Sequence, residues 1–283
     1  MNQINVGVDL LVGICLTKKD WLQYKDNLII SCQNISQAWD NKVIFFVVLQ
    51  GNKNEIISQT DLPDSFFLYE TEAMGVSLAR NKCIEEAVSK DIKYILFHDA
   101  SIFWPLESAQ YISLNRELHP KVKVSFSDFT FHHSYSNSNG GIKRIVNPIY
   151  DTYVWSYLLK VADIESVRFS EKFGPGGCTR YKSGEDVIFL FDYCNKIKSR
   201  EVFEAQFLCV YHPPRSKKFD KHLIYAKGQG KVYQILLGRY PSFVLYRDLL
   251  LFFGNAIFRC LLLRPNSFNI LKNRINGFFN RGI

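Results

Sequence analysis

The sequence lacks the cysteine pattern of a zinc site or of a disulfide-stabilised protein. It has seven cysteines, no two of which form a Cys-x-x-Cys pair. Protein zinc ligands usually come in closely spaced pairs, and structural disulfides are typical of oxidising compartments. We therefore expect reduced, mostly buried thiols in a cytoplasmic protein, and no zinc site.

Long apolar segments are also missing. The longest, LLLFFGNAIF at 249–258, lies between Asp248 and Arg259 and is only ten residues long, whereas a membrane-spanning helix needs about 20. The N-terminus has neither a basic segment nor a small-residue cleavage site, so we expect no signal peptide. The sequence shows no internal repeat and no low-complexity segment.

Acidic residues are scarce near the C-terminus. From Arg239 to Ile283 one acid, Asp248, stands against seven lysines and arginines, within a chain of net charge +8. Blocks of Phe, Leu and Ile alternate there with single cations, which is typical of a helix on an anionic membrane surface. Packing of these helices on the rest of the chain or on a second subunit explains the pattern equally well. A nucleic-acid binder ranks last, because the cations alternate with apolar residues and no RNA-binding motif occurs.

The first hundred residues alternate between predicted strands and helices. Segments 4–16 and 43–50 have the apolar runs of buried strands, 75–90 has the spacing of an amphipathic helix, and KYILFHD is a buried strand that ends at Asp99. This alternation favours an α/β fold with a mostly parallel sheet, which binds ligands beyond the carboxyl ends of its strands. Helices are also predicted at 149–161, at 186–197 and from residue 232 onward.

Four segments in this order resemble a GT-A glycosyltransferase of the family-2 type. They are GVSLARNKCIEEA, YILFHDASIFWP, RFSEKFGPGGCTRYKSGEDVIFLFD and VYHPPRSKKFDKHLIYAKGQG. The likeness is to bacterial enzymes that build O-antigen, capsule or lipopolysaccharide core. It implies a nucleotide-sugar donor, expected to be a UDP-sugar, a Mn²⁺ or Mg²⁺ ion, and an acceptor hydroxyl on a lipid-linked glycan.

The same resemblance implies the domain organisation. Residues 1–231 would form the GT-A catalytic domain, with a nucleotide-sugar-binding half at 1–105 and an acceptor-binding half at 106–231. Residues 232–283 would form a basic amphipathic helical tail that binds a membrane or another subunit. The protein would then lie at the inner face of the bacterial cell membrane, with homo-oligomerisation left open.

The resemblance assigns donor and metal residues one by one. Arg80 and Asn81 correspond to the donor pocket, where arginine pairs with diphosphate oxygens; an exposed arginine on a helix face is the alternative. The family's Asp-x-Asp metal motif is here Asp99, Ala100 and Ser101, so the second carboxylate is a hydroxyl. His212 matches a third metal ligand, although a simple loop residue would also fit.

Further residues are assigned less specifically. Gln50 follows Leu49, which stands where the family has an aspartate that reads uracil, and Gln50 is the candidate substitute. The segments RSKKFDK and KGQGK are expected to form a basic loop over the diphosphate, with Lys217, Lys218 and Lys227 as candidates, unless they are a solvated charge run. His132 and His133 are weaker candidates for acceptor contacts.

The triplet Gly184, Glu185 and Asp186 precedes an apolar helix. In the family an acid pair stands here, and the resemblance makes Asp186 the general base of an inverting transfer, with Glu185 hydrogen-bonding the acceptor. Alternatively, the two acids only complement the helix dipole, which is worth about 0.3–1 kcal/mol. A non-catalytic, sugar-binding scaffold with a degenerate metal site remains the competing hypothesis.

Overall fold

The larger of two sheets carries the N-terminal half of the protein. The computed structural model describes residues 7–51, 62–128, 140–176, 179–214 and 220–280. The strands of this sheet are β1 (Leu10–Thr17), β2 (Val43–Gln50), β3 (Phe66–Thr71), β4 (Tyr94–Asp99) and β7 (Leu159–Lys160). Their order is β3-β2-β1-β4-β7, and only β7 is antiparallel to its neighbour. The mostly parallel sheet predicted from the sequence is confirmed.

Helices on this sheet explain why its central strands are apolar throughout. They are α1 (Lys18–Ala38) and α2 (Val76–Ser89), whereas α3 (Leu106–Leu114) packs on α1 and on the smaller sheet. The predicted helix at 75–90 is therefore confirmed, and it lies against β1. Gly13 permits this contact, because a Cβ there would approach Cys83 to 2.7 Å. The predicted strand at 4–16 begins at Leu10, and residues 1–6 lie outside the described ranges.

The second sheet is smaller and stands beside the first. It consists of β5 (Pro120–Ser125), β6 (Gly141–Ile145) and β8 (Glu201–Tyr211) in the order β5-β8-β6. A bridge between Phe103 and Tyr211 joins the end of β8 to the segment that follows β4. Residues after β4 and after β8 therefore meet at one place.

The helix predicted at 149–161 is wrong. The chain forms a 3₁₀ turn at Val154–Ser156, then β7, then a short helix α4 (Val161–Ile164). Strand pairing determines this conformation, because β7 forms backbone hydrogen bonds with β4 and Tyr157 forms a bridge with Lys121 of the second sheet. The segment thus connects the two sheets in an extended form that local periodicity does not reveal.

Helix α5 (Glu185–Lys196) carries the acid pair at its first turn. Gly184 precedes it with φ +106°, a left-handed conformation that favours glycine. A Cβ on Gly184 would also lie 2.2 Å from a methyl group of Val232. Glycine is therefore required at position 184 both by the backbone conformation and by the packing of Val232 against it.

Three C-terminal helices complete the fold: α6 (Lys221–Arg239), α7 (Phe243–Leu261) and α8 (Ser267–Phe279). Side chains from α6 and α7 share a core with the segment around α5; its buried members are Phe173, Tyr181, Ile188, Phe191, Val232, Tyr233, Leu236 and Leu245. The boundary expected between residues 231 and 232 falls inside α6. The segment KGQGK, expected as a loop, is also part of α6.

Helices α6 and α8 lie parallel and close together. Asn266, just before α8, bonds to Asp220, just before α6. Lys231, near the middle of α6, bonds to the Asn280 carbonyl just after α8. A Cβ on Gly230 would lie 2.1 Å from the Arg274 carbonyl oxygen, and one on Gly277 would lie 2.0 Å from the Lys227 carbonyl oxygen. In KGQGK, Gly230 therefore permits the close approach of α6 and α8. In the described part of the chain, no helix has the length and apolarity needed to cross a bilayer.

Candidate active site

The strand order of the larger sheet changes direction between β1 and β4. The chain continues from β1 to β2 on one side of β1, whereas β4 pairs with β1 on the other side. We call the region beyond the carboxyl ends of these two strands the crevice. Ligands of open α/β sheets bind at such a point. Asp99 ends β4 here, as the sequence predicted for this strand.

Arg80 joins the two carboxylates that the sequence singled out. Its side chain is 2% exposed; one terminal nitrogen bonds to Asp186 Oδ1, and the other lies 3.0 Å from Asp99 Oδ1. The guanidinium also lies over the Phe169 ring, 5.3 Å from its centroid. Burial alone would lower the pKa of Arg80, but Asp186 and Asp99 outweigh it and raise that pKa. A permanent cation therefore holds α5 and β4 together at the crevice.

This position differs from the role expected for Arg80. The guanidinium is enclosed and faces two carboxylates, and its Nε is buried without a hydrogen-bond partner. In this arrangement it has no open side for a diphosphate. The contact with Asp186 spans 106 residues of sequence, which is why local pattern did not reveal it.

Asp186 lies in a low-dielectric environment at the start of α5. Its side chain is 13% exposed, and its Oδ2 accepts a 3.5 Å hydrogen bond from the Val154 backbone N–H. Burial raises the pKa of Asp186 to about 6; Arg80 lowers it, and Asp99 raises it. The carboxylate is thus mostly charged at neutral pH and still basic enough to take a proton.

Glu185 differs from its neighbour in that no cation among the described residues is bonded to it. Its Oε2 is buried without a hydrogen-bond partner. Burial, together with the charge of Asp186, raises the pKa of Glu185 to about 8, with Arg80 acting in the opposite direction. Their surroundings therefore raise the pKa of Glu185 further than that of Asp186, which favours the protonated form of the first acid and the ionised form of the second.

The turn that carries Asp99 is held by a hydrogen-bonded chain that the sequence argument missed. His98 is fully buried; its Nδ1 lies 2.8 Å from the Asp99 carbonyl oxygen and its Nε2 lies 2.8 Å from Ser31 Oγ. A carbonyl only accepts, so Nδ1 carries the proton and Ser31 donates to Nε2. Ser31 Oγ in turn accepts from the Trp104 N–H. Burial lowers the pKa of His98 to about 4, which keeps the ring neutral.

Ser101 and His212 come together as the expected metal ligands would. Ser101 Oγ lies 3.3 Å from His212 Nε2, and His212 Nδ1 donates to the Pro213 carbonyl at 2.7 Å. This leaves a lone pair on Nε2, the usual orientation of a ligating histidine. However, one Asp99 oxygen binds Arg80, and the described residues hold no cluster of three His, Cys, Asp or Glu suited to a metal. The donor set is therefore present only in part.

Other predicted donor residues have structural partners. Asn81 is buried and bonds to the backbone N–H and carbonyl of Phe169. The Gln50 side-chain oxygen accepts from the Gly75 N–H at 2.6 Å, at the start of α2. Lys227 Nζ lies 6.0 Å from the centroid of the Tyr181 ring. His132, His133, Lys217 and Lys218 lie outside the described residues.

The Gly-rich segment before α5 packs on the start of α2. A Cβ on Gly174 would lie 2.8 Å from a Val76 methyl carbon, and one on Gly176 would lie 2.9 Å from the Gly75 Cα. Ser77 Oγ donates to the Phe173 carbonyl in the same contact. These glycines therefore allow the segment before α5 to approach the start of α2 closely. The sequence had suggested a close approach to the donor sugar instead.

A cavity of about 350 Å³ borders the segment that contacts Asp186, although neither acid lines it. Tyr153 lines it, and the next residue, Val154, contacts Asp186. The other lining residues are Lys121, Lys123, Val124, Phe126, Arg144, Tyr150, Asp151, Ser156 and Glu204. Phe126 and Tyr153 stack edge to face at 5.3 Å, and Phe126 lies 5.5 Å from the His212 ring. An aromatic wall thus connects the cavity to the crevice.

Comparison with known proteins identifies the fold. No family model matches the chain, and no curated protein matches it in sequence. Among solved structures, TarS 1–349 of S. aureus in complex with UDP-GlcNAc matches with a TM-score of 0.60 at 14% identity, over 95% of this chain and 80% of that one. Its complex with UDP gives 0.50 at 13%, over 95% and 89%.

The longer TarS structure gives a TM-score of 0.52 at 13% identity, over 97% of this chain and 46% of that one. Identities this low show a common fold and nothing more. The α/β fold of GT-A type that the sequence predicted is confirmed, and the protein shares this fold with TarS.

Proposed function

We propose that the protein is an inverting glycosyltransferase that moves a sugar from a nucleotide-diphosphate donor to an acceptor hydroxyl. The observation that carries this proposal is the Arg80 bridge, which sets the Asp186 carboxylate beside Asp99 at the crevice of the sheet. A UDP-sugar is the donor we favour, since the fold is shared with a protein that was crystallised with UDP-GlcNAc and with UDP.

Asp186 is the general base in this proposal. Its carboxylate removes the proton of the acceptor hydroxyl while that oxygen attacks the anomeric carbon. The bond from that carbon to the diphosphate breaks on the opposite face, and the configuration inverts. The transition state is oxocarbenium-like, so the nearby negative charge also stabilises it. A pKa of about 6 suits a base that works near neutral pH.

Arg80 is the positioning residue for this base. By bonding to Asp186 Oδ1 it favours the charged carboxylate and fixes its direction, and Oδ2 remains on the side of the Val154 backbone. The raised pKa of Glu185 favours its protonated form, which has a proton to donate to a sugar or acceptor oxygen. The two acids therefore have complementary roles, one as proton acceptor and the other as hydrogen-bond donor.

The donor diphosphate would lie near Asp99, Ser101 and His212. These are the residues that would hold Mn²⁺ or Mg²⁺, and such an ion would neutralise the leaving diphosphate. Ser101 is a weaker ligand than a carboxylate, so we expect the ion to bind together with the nucleotide rather than before it.

We place the acceptor in the cavity that Tyr153 lines. Aromatic rings and charged side chains are the groups that bind sugar faces and hydroxyls, and Phe126, Tyr153, Arg144 and Glu204 supply both kinds. The acceptor we propose is a lipid-linked glycan of bacterial surface polysaccharide synthesis, made at the inner face of the cell membrane.

A second candidate function is a non-catalytic, sugar-binding scaffold. Two observations favour it: Ser101 stands in place of a second carboxylate, and Arg80 already neutralises Asp99. The arrangement of Asp186 speaks against it, because a scaffold has no need of a buried carboxylate with a raised pKa.

One experiment separates the two. The purified protein is incubated with UDP-GlcNAc, UDP-glucose and other UDP-sugars, with and without Mn²⁺ and a panel of sugar acceptors, while melting temperature and UDP release are recorded. The transferase requires that at least one donor both raises the melting temperature and releases UDP. A melting shift without UDP release for any donor or acceptor would identify the scaffold. No shift with any nucleotide sugar would contradict both.

A further inference from the structure

The outer face of α7 is largely apolar. Exposed apolar side chains lie along both halves of the helix, and two more follow in the next turn: Phe243, Val244, Tyr246, Leu250, Leu251, Ile257, Phe258, Leu261, Leu262 and Leu263. Arg247, Gly254 and Asn255 are exposed between them, and between Asp248 and Arg259 the helix carries no charge. Nineteen residues extend over about 28 Å. An apolar surface of this size marks an interaction site rather than ordinary surface.

The opposite face of α7 is firmly attached to the protein. Leu245, Ala256 and Cys260 are buried, and the Tyr233 hydroxyl donates to the Asp248 carbonyl. Arg274 of α8 lies over the Phe252 ring at 3.9 Å and donates to the Phe252 carbonyl. Helix α7 is therefore a fixed element whose outer side is left without a partner in the described chain.

Charge indicates what covers this face. Around it the cations outnumber the acids: Arg247 is exposed and pairs with the buried Asp248, and Arg264, exposed just after the end of α7, has no carboxylate partner in the described ranges. A twofold contact between two copies of this chain would bring the same apolar face and the same cations together. An anionic lipid surface instead meets both the apolar side chains and these exposed arginines.

The position of α7 relative to the cavity adds a second argument. Asp248, buried on the inner side of α7, accepts a 2.8 Å hydrogen bond from the Asn147 side chain. Asn147 begins the turn that continues to Tyr150 and Asp151, both of which line the proposed acceptor cavity. The wall of the proposed acceptor cavity is thus tied directly to the helix with the apolar outer face.

We propose that the outer face of α7 inserts into the headgroup region of an anionic bilayer and holds the acceptor cavity at the membrane surface. The lipid would then lie along α7 while the glycan it carries reaches Asp186. The link to the acceptor rests on the proposed function, whereas the lipid contact does not depend on it.

The test uses the full chain and vesicles of phosphatidylcholine with or without phosphatidylglycerol, in a sedimentation assay. The variants are Leu250→Glu and Leu261→Glu, at side chains that are 73% and 76% exposed. The controls are Leu114→Glu on α3 and Ile145→Glu on β6, which are 75% and 77% exposed but lie outside the face. None of the four positions is buried, so all variants should fold.

We expect the wild type to bind vesicles that contain phosphatidylglycerol more tightly than neutral ones, and to bind less as salt increases. Each α7 variant should lower the partition coefficient by about tenfold or more, and each control by less than about twofold. Equal binding of α7 and control variants would overturn the proposal. So would an α7 variant that converts a dimer to a monomer in light scattering, because a second copy would then cover the face.

UDP binding is measured on the same samples, so that the two proposals fail separately. If α7 variants lose vesicle binding but still bind UDP, both stand. If the wild type binds vesicles but no nucleotide or nucleotide sugar, the proposed function fails and the lipid contact is retained.

Discussion

Arg80 is the residue that organises the site, because it bonds to both Asp186 and Asp99 from the enclosed side of the crevice. A lysine in its place keeps the charge but has a single nitrogen, which cannot bond to both carboxylates in this geometry. A mutation at Arg80 should therefore change the titration of the base as well as the stability of the fold.

Arg80→Lys should move the acidic limb of the kcat/KM pH profile upward from about 6. Arg80 lowers the pKa of Asp186, so a weaker contact lets that pKa rise, and a higher pH is then needed to ionise the base. Losing one of the two contacts should also reduce the unfolding free energy by about 1–3 kcal/mol. A merely structural role would reduce stability and leave the pH profile of the surviving enzyme unchanged, which would contradict this assignment.

Glu185 makes stability depend on pH in a defined direction. Its pKa is raised from 4.5 in the unfolded chain to about 8 in the folded protein. Between these two pKa values Glu185 is protonated in the folded protein and ionised in the unfolded chain. The stabilisation from this proton is complete below about pH 4.5 and is lost as the pH rises through 8. The loss is at most about 1.4 kcal/mol per pH unit for one proton.

Urea unfolding at pH 6 and pH 8 tests this. The wild type should be less stable at pH 8, and Glu185→Gln should reduce the difference, because glutamine cannot ionise. If the wild type and the variant change equally between the two pH values, Glu185 does not titrate in this range.

At the scale of elements, the contact between α6 and α8 depends on glycine. Gly277 lies against the α6 backbone, so a methyl group there must push the helices apart. We expect Gly277→Ala to reduce the unfolding free energy by about 1–3 kcal/mol. Gly238 provides a matched control within α6, because a Cβ at that position meets no atom within 4 Å.

Gly238→Ala should stabilise the protein by about 0.5–1 kcal/mol, since alanine loses less conformational freedom in a helix than glycine does. If Gly277→Ala lowers the melting temperature and Gly238→Ala raises it, the contact between α6 and α8 is the cause of the destabilisation. If both alanine variants stabilise the protein, α6 and α8 are not packed as described.

The local sequence pattern was sufficient to predict elements whose conformation depends mainly on neighbouring residues. The spacing in α2, the apolar run of β4 and the Gly-Glu-Asp start of α5 were all readable from neighbouring residues. The 3₁₀ turn at Val154–Ser156 was not, because pairing with two sheets decides it. Nor could the pattern show Ser31 bonding to His98, a contact across 67 positions. Glycines at 228 and 230 were a usable signal for close helix packing, but their basic neighbours suggested a phosphate loop instead.

At the scale of the whole molecule, the C-terminal helices are part of the body that holds the acid pair. Gly228 of α6 lies against Ser183, where a Cβ would meet the Ser183 carbonyl oxygen at 2.5 Å. Helix α8 supports α6 from another side, through the contacts of Gly230 and Gly277. Loss of α7 and α8 would therefore affect the site itself as well as any membrane contact.

A chain that ends at Tyr240 should be destabilised by about 3 kcal/mol or more, because Leu245 and Ile270 each bury an apolar side chain worth about 1.5–3 kcal/mol. UDP release should fall even with a soluble acceptor, since α6 loses the support that positions Ser183 and Gly184. Thermal unfolding and a soluble-acceptor assay measure the two effects. A truncated chain with the melting temperature and turnover of the full chain would show that the helices form a separate unit.

The central claim is that Asp186 takes the acceptor proton, and the most direct measurement is turnover and donor affinity of Asp186→Asn beside Asp192→Asn. Both residues lie on α5, but Asp192 bonds to Arg239 away from the crevice. We predict that Asp186→Asn lowers kcat by about 10²–10⁴-fold and leaves the donor Kd nearly unchanged, whereas Asp192→Asn retains wild-type turnover. A kcat for Asp186→Asn close to that of the wild type would contradict the account.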